Sequence, residues 1–368
     1  MEVKFLDLKK QYSLLKSEID SAVQAVFAEA DFIKGAEVKR FEADFADYCG
    51  ASHCISCGNG TDALMVLLKV HDFKPGSEVI LPANTFIATA EAVISNGLKP
   101  VFADIKEDYT ISPVSAESLI NPNTCAIIAV HLYGHAADMD PLKKIAEKHN
   151  LKLFEDAAQA HGAVYRGRKA GSLADGAGFS FYPGKVLGSA GDAGAIMLND
   201  AELAKKARMF CNHGRSLKYF HEFAGMNSRM DTIQAAVLNV KLKHLDEWVR
   251  ARNEVAKSYI GQLSDVSEIV LPKISTETSD AWHLFVIKTE KRDNLQEYLK
   301  NCGIETGIHY PLSLPEQPAF ADHMSYCRAY RAVRESKTLL SLPIGEHLSV
   351  EEVAFVAEKI KEFFVKNI

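Results

Sequence analysis

The chain has 368 residues, enough to bury a large core and to form two domains or one elaborated one. Hydrophobic residues make up 47% and charged residues 24%, an ordinary balance for a soluble globular protein, and a net charge of −6 leaves no overall footprint for nucleic acid or an anionic membrane. The start, MEVKFLDLKKQ, lacks a continuous apolar stretch, and no run approaches the roughly 18 apolar residues of a membrane span, so a cytoplasmic location is expected.

In chain order, short apolar runs alternate with helical patterns. Strands are predicted at 78–83 (EVILPA), 99–105 (KPVFADI), 125–134 (CAIIAVHLYG), 151–158 (LKLFEDAA), 176–183 (GAGFSFYP) and 194–200 (GAIMLND). They are continuously apolar rather than alternating, as strands covered on both faces are. Helix-period segments at 61–70, 86–96 and 140–149 lie between them. This rhythm predicts an α/β domain with a mainly parallel sheet. From 230 to 263 one helical pattern runs without Gly or Pro until Gly261, with Ile233, Val237, Val240, Trp248 and Tyr259 on its apolar side. At the α-helical rise it would span on the order of 45–50 Å, enough to bridge two domains. The pattern then restarts with a strand at 281–289, a helix at 292–303 and a strand-like stretch at 304–311. A closing helix opens with a capping box, Ser349 to Glu352, and carries Val353, Val356, Ile360 and Phe363 at helical spacing. A large domain over 1–263 and a smaller C-terminal α+β domain over 264–368 are therefore expected.

Seven cysteines, an odd number, fit a reducing compartment. Cys54 and Cys57 make a C-x-x-C, but a zinc site needs a second pair, and none has suitable spacing. Buried strand-end thiols are the simpler reading. His131 and His135, in HLYGH, have no third ligand nearby, and no metal site is predicted.

The chemistry centres on Lys185, in SFYPGKVLGSAGDAGA. Gly-Lys in a glycine-rich loop suggests a nucleotide-phosphate cradle, but that motif needs four residues between its glycines and a Ser or Thr after the lysine. Gly178 and Gly184 enclose five residues, and Val186 follows the lysine. A lysine on an open turn after a buried strand remains, a position that suits a reactive amine. Two further features fall at strand ends, where α/β sheets place ligands. In CGNGTDAL, Gly58 and Gly60 let the backbone turn closely and Thr61 begins a helix, which offers free amides and a hydroxyl to a phosphate or simply an N-cap. In LFEDAAQAHGA, Glu155 and Asp156 end an apolar strand, where a charge is costly unless paired. They could cap a helix or face a cationic ligand. Together the three supply what pyridoxal 5′-phosphate requires: a lysine for the Schiff base, a carboxylate for the pyridine nitrogen and a helix N-terminus for the phosphate. Phe86 could stack on the ring or pack in the core.

The ordered motifs NGTDAL, TFIATAEA, EDAAQAHGA, SFYPGKVLGSAGDAGA, GMNSRMDTIQAA, HLFVIKT and GIHYP resemble the DegT/DnrJ-type sugar aminotransferases, fold-type I pyridoxal-phosphate enzymes acting on nucleotide-linked keto-sugars. The likeness runs from FLDLKKQY to SLPIGEHLS, nearly end to end. It implies the aspartate aminotransferase-like fold, with a mainly parallel mixed sheet and a smaller C-terminal domain. It also implies that Lys185 forms the Schiff base and moves protons, that Asp156 pairs with the pyridine nitrogen and that Gln159 bonds the ring 3-oxygen. Thr61, the Asp62 amide and Ser180 would hold the phosphate, with Gly60 permitting its approach and Phe86 stacking on the ring. Asn227 would complete the phosphate site across a homodimer interface. Arg229, His309 and Tyr310 would lie toward the substrate.

Two departures stand out: Ala193 where a second glycine is common, and Lys34 before Gly35 where an apolar residue is common. The resemblance implies a two-stage reaction, in which L-glutamate leaves its amine on the cofactor and the pyridoxamine form passes it to a keto-sugar. A related dehydrase would carry histidine in place of Lys185. A non-catalytic regulator would not need Lys185, Asp156 and Gln159 together, and a lyase on sulfur amino acids lacks support from GIHYP and GMNSRM. FLDLKKQY and NGTDAL look more like the branch acting at C3 than that acting at C4. The expected acceptor is a dTDP-linked 3-keto-6-deoxyhexose, ahead of a UDP-linked 3-keto sugar or a 4-keto sugar.

Overall fold

The computed structural model describes residues 1–323 and 327–365. Seven strands form the central sheet: β1 (His53–Cys57), β2 (Glu78–Pro82), β3 (Lys99–Ala103), β4 (Thr124–Val130), β5 (Lys152–Asp156), β6 (Gly176–Ser180) and β7 (Gly194–Leu198). Their spatial order is β1-β7-β6-β5-β4-β2-β3. The pairings from β6 through β3 are parallel, and β7 runs against both of its neighbours. With β7 alone reversed, the carboxyl ends of the other six strands meet along one edge, where ligands gather in open α/β sheets.

Both faces are covered, which is why these strands read as continuous apolar runs. On one face α3 (Gly60–Lys69), α4 (Ala88–Ile94) and α6 (Ala201–Phe210) pack on Ile55, Leu81, Ile128, Phe154 and Ile196. On the other, α2 (Ala36–Cys49) and α7 (Thr232–Leu242) cover Ala177, Phe179 and Met197, while α5 (Met139–His149) covers Ile80, Ile127 and Leu153. Cys54 and Cys57 belong to opposite faces of β1, each in a different core cluster, so they cannot share a ligand.

The helical pattern at 230–263 is two helices, α7 and α8 (Leu245–Leu263), rather than one. No Gly or Pro marks the break. Asp246 and Glu247 stand in the first turn of α8, where carboxylates favour a helix start. Helix α8 still reaches the C-terminal region: Tyr259 packs with Phe285 and Ile287 of β8 (Phe285–Lys288), Leu340 of β9 (Leu339–Leu342), Leu295 of α9 (Arg292–Asn301) and Val356 of α10 (Val350–Val365). The capping box forms as expected: Ser349 N–H donates to Glu352 Oε2 at 2.7 Å, and Glu352 N–H to Ser349 Oγ at 3.2 Å.

The stretch 304–311 is not a strand. It makes single bridges, Ile304 to Val3 and Gly307 to Ser341, and is held by side chains thereafter. Strands β4, β5 and β6 stop at Val130, Asp156 and Ser180, two to four residues short of the apolar runs that announced them, where the chain turns at the sheet edge. The sequence carries no sign of the 22-residue helix α1 (Leu8–Glu29) or of α2, and marks β1 only by its end, where Cys57 stands as the expected strand-end thiol. Among the described residues, no helix is long and apolar enough to cross a membrane.

Candidate active site

The row Cys57, Gly194 and Ser180 crosses three adjacent strands at the carboxyl edge. From Cys57 the chain turns through Gly58 and Asn59 into α3. Asn59, not Thr61, caps that helix: its Oδ1 accepts the Asp62 N–H at 2.8 Å, which frees the Thr61 hydroxyl from the capping role. The cradle is tight. A Cβ on Gly60 would stand 2.5 Å from Ser180 Cβ, so α3 closes on β6 only with glycine there. Ser228 stitches the turn together, accepting the Gly58 N–H at 2.9 Å and donating to Asp62 Oδ2 at 2.5 Å.

Asp156 ends β5, paired in register with Gly178 and Val130. Its carboxylate is buried and accepts from Thr89 Oγ1 at 2.7 Å and from Ala158 N–H at 3.2 Å. Burial raises its pKa, while those two donors and the Lys185 charge pull the other way. Lys185 lies on the turn after β6, its N–H donating to Tyr182 O at 2.8 Å. Burial lowers its pKa to about 8, with the Asp156 charge opposing. The rest of the loop is pinned by Ser189 Oγ on Phe181 O at 2.7 Å and by the buried Lys241 of α7, whose Nζ donates to Gly188 O at 2.7 Å.

Gln159 accepts the Tyr133 N–H on Oε1 at 2.6 Å and donates from Nε2 to Tyr310 Oη at 3.2 Å. Tyr133 Oη in turn donates to His309 O, and His309 Nδ1 meets Ser341 Oγ at 2.8 Å. Burial, reinforced by Lys185, lowers His309 to about 4 and His161 to about 3, and holds His283 well below the usual imidazole range. Phe86 is exposed, 55%, and its ring centroid lies 6.0 Å from that of Tyr310. It is a cleft residue and not a core one.

The predicted residues Gly60, Thr61, Asp62, Phe86, Asp156, Gln159, Ser180, Lys185, His309 and Tyr310 thus line one edge of the sheet. Asn227 and Arg229 flank Ser228 next to the turn at Gly58, but their own contacts run to Asn212: Asn227 bridges to it, and Arg229 Nη1 donates to its Oδ1 at 3.3 Å. Thr89 and Tyr133 were missed, although Thr89 sits one helical turn beyond Phe86 in TFIATAEA. The two histidines of HLYGH are spoken for separately, His131 by Glu155 at 2.9 Å and His135 by Asp280 at 2.9 Å.

An amine of lowered basicity beside a buried carboxylate, with a helix N-terminus, two hydroxyls and a primary amide around them, is a donor set that fits pyridoxal 5′-phosphate. Glycine at position 60 lets the start of α3 close onto Ser180, which brings the free helix amides and that hydroxyl to one place.

The chain is 44% identical over 363 residues to a dTDP-3-amino-3,4,6-trideoxy-alpha-D-glucose transaminase of Streptomyces venezuelae, covering 98% of this chain and 96% of that one. It is equally 44% identical over 369 residues to a Geobacillus stearothermophilus protein named pleiotropic regulatory protein, covering 99% of each. Among solved structures it resembles S. venezuelae DesV in complex with a ketimine intermediate, with a TM-score of 0.96, 43% identity and 98% of both chains covered. A profile described as the DegT/DnrJ/EryC1/StrS aminotransferase family matches residues 13–361, and the chain belongs to that family.

Proposed function

We propose that this enzyme transfers the amino group of L-glutamate to a nucleotide-linked 3-keto sugar, first of all a dTDP-linked 3-keto-6-deoxyhexose, to give the 3-amino sugar nucleotide. The observation that carries the reading is Lys185, an amine brought to about pKa 8 by burial, set at the sheet edge beside the buried Asp156. The likeness to a transaminase of a dTDP-3-amino sugar supports the acceptor.

Bound pyridoxal phosphate supplies an electron sink beside the reacting nitrogen. Asp156, held by Thr89 and Ala158, pairs with the ring nitrogen and keeps it protonated. Gln159 Nε2 would donate to the ring 3-oxygen, and Phe86 would stack on the ring. Ser180 and Thr61 would hold the phosphate where α3 closes on β6 at Gly60, with the Asp62 N–H, donated to Asn59 in the free chain, able to contribute. Lys185 Nζ would hold the cofactor at rest and, once displaced by the glutamate amine, would take the proton from the glutamate carbon and later deliver one to the sugar carbon. His309 and Tyr310 orient the sugar. Asn227, exposed in its own chain, completes the partner's phosphate site in a homodimer, with Arg229 beside it. The division at residue 263 separates the cofactor domain from the smaller one, and the protein works in the cytoplasm.

A lysine at position 185 disfavours a dehydrase. It also disfavours a purely regulatory role, whatever one relative is named, since regulation needs no amine of lowered basicity. UDP-linked 3-keto and 4-keto sugars are the competing acceptors. The test is to convert the holoenzyme with L-glutamate, remove the excess, and offer 3-keto and 4-keto dTDP and UDP sugars separately while following cofactor absorbance. Return of the starting band with the dTDP 3-keto sugar is expected. Return only with a 4-keto sugar overturns the position, and no return with any sugar overturns the acceptor class.

A further inference from the structure

A second concavity lies behind the phosphate cradle, outside the group around Lys185. It is a cleft of about 200 Å³, with Lys34, Lys39 and Glu42 on one side, Arg208, Asn212 and Arg229 on the other, and Ile55 and Ser56 of β1 between them. Four cations thus face one carboxylate, in a chain whose net charge is −6. That carboxylate is already used. Glu42 Oε2 accepts from Arg208 Nη1 at 2.6 Å, and Oε1 accepts both the N–H and the O–H of Ser56, at 2.9 and 2.8 Å. Arg229 leans on the Asn212 side-chain oxygen, a neutral partner, at 3.3 Å.

Lys34 sharpens the point. Among the described residues it makes no ion pair, and its basicity is lowered by burial and then by the guanidinium groups of Arg208, Arg215 and Arg229, with Glu42 opposing. Its φ of 59° lies in the left-handed region, where a glycine would cost less, so backbone convenience does not explain a lysine there. The next residue has no freedom of its own: a Cβ on Gly35 would meet Asp31 Oδ2 at 2.3 Å. Lys34 therefore stands at a fixed turn at the rim of a cationic cleft, next to the segment that carries Asn227 and Arg229. Uncompensated cations converging on one cavity repel each other in the free protein and are relieved by an oxyanion.

We propose that this cleft is an anion subsite in which Lys34 acts with Arg229 on an oxyanion of substrate bound at the partner's active site. The inference rests on the aminotransferase reading above, because the substrates of that reaction provide two such groups, the diphosphate of the sugar nucleotide and the side-chain carboxylate of glutamate. On this account Lys34 is a specificity residue, and its charge favours whichever substrate brings the anion there. It takes no part in the proton transfers of Lys185.

The test titrates holoenzyme with inorganic pyrophosphate and, separately, with glutarate, which has the carboxylates of glutamate but no amine to react. Wild type, K34M and a K74M control are compared by calorimetry at low salt, with melting curves showing that each is folded; Lys74 is an exposed lysine outside the cleft. Pyrophosphate affinity about tenfold weaker in K34M, and within about twofold of wild type in K74M, is expected for the diphosphate. The same pattern with glutarate assigns the carboxylate. Equal affinity of wild type and K34M for both probes, or an equal loss in K74M, overturns the subsite. Neither titration needs turnover, so failure to aminate any keto-sugar would sink the proposed function and leave this result standing, and the reverse also holds.

Discussion

Glu155 and Asp156 are neighbours at the end of β5, both buried, and they project to opposite faces of the sheet. Glu155 accepts the N–H groups of Gly171, Leu173 and Ala174 at 2.7, 2.7 and 3.1 Å, and His131 Nε2 at 2.9 Å. His131 Nδ1 accepts the Ala137 N–H at 3.1 Å, which places the imidazole proton on Nε2, facing the carboxylate. With four donors around two oxygens, Glu155 has no capacity left. Asp156 has two donors and a cleft beside it. Both charges are costly to bury. The saturated one ties strands and loops together, whereas the unsaturated one holds acceptor capacity in reserve for a ligand.

That contrast can be broken by substitution. The largest effect is expected from K185A, which removes the amine proposed as both anchor and proton carrier; the glutamate half-reaction should slow by about 10⁴-fold or more, read as 2-oxoglutarate formed in a single turnover. D156N should cost about 10²- to 10³-fold in the same assay while leaving the melting temperature close to wild type, since only preorganised charge is lost. E155Q should do the opposite. An amide cannot accept four N–H donors, so stability should fall by about 3 kcal/mol in denaturant unfolding, with the chemistry of folded molecules little changed. The smallest effect belongs to T89V, which removes one donor from Asp156; its pKa should rise further, and kcat should fall about tenfold without loss of stability.

The sheet was legible because strands buried on both faces leave continuous apolar runs, and Lys185, Asp156 and Ser180 were legible because each stands at or just past the end of such a run. Edge strand β1 was legible only at its end, through its strand-end thiols, since HCISC is short and sends its two cysteines to opposite faces. Thr89 was hidden for another reason: it meets Asp156 across 67 residues of sequence, and a threonine in a helical pattern carries no mark of its partner. The break between α7 and α8 lacks any Gly or Pro to announce it. The 304–311 stretch reads as a strand, yet its conformation is set by Tyr133, Ser341 and Gln159, which come from distant parts of the chain. Asn227 and Arg229 are a separate case: the segment GMNSRM marks them in the sequence, yet within the chain both engage Asn212 and neither bonds to the group around Lys185.

The most direct test is the pH dependence with which cofactor-free protein captures pyridoxal phosphate, compared in wild type, D156N and E155Q. Only the neutral amine reacts, so the rate should rise with pH through a midpoint near 8 in wild type, well below the 10.5 of an ordinary lysine. Because the Asp156 charge raises the Lys185 pKa, D156N should move that midpoint downward, and E155Q, altered on the other face of β5, should leave it near 8. A wild-type midpoint near 10.5, or a midpoint shifted by E155Q and untouched by D156N, would contradict the account.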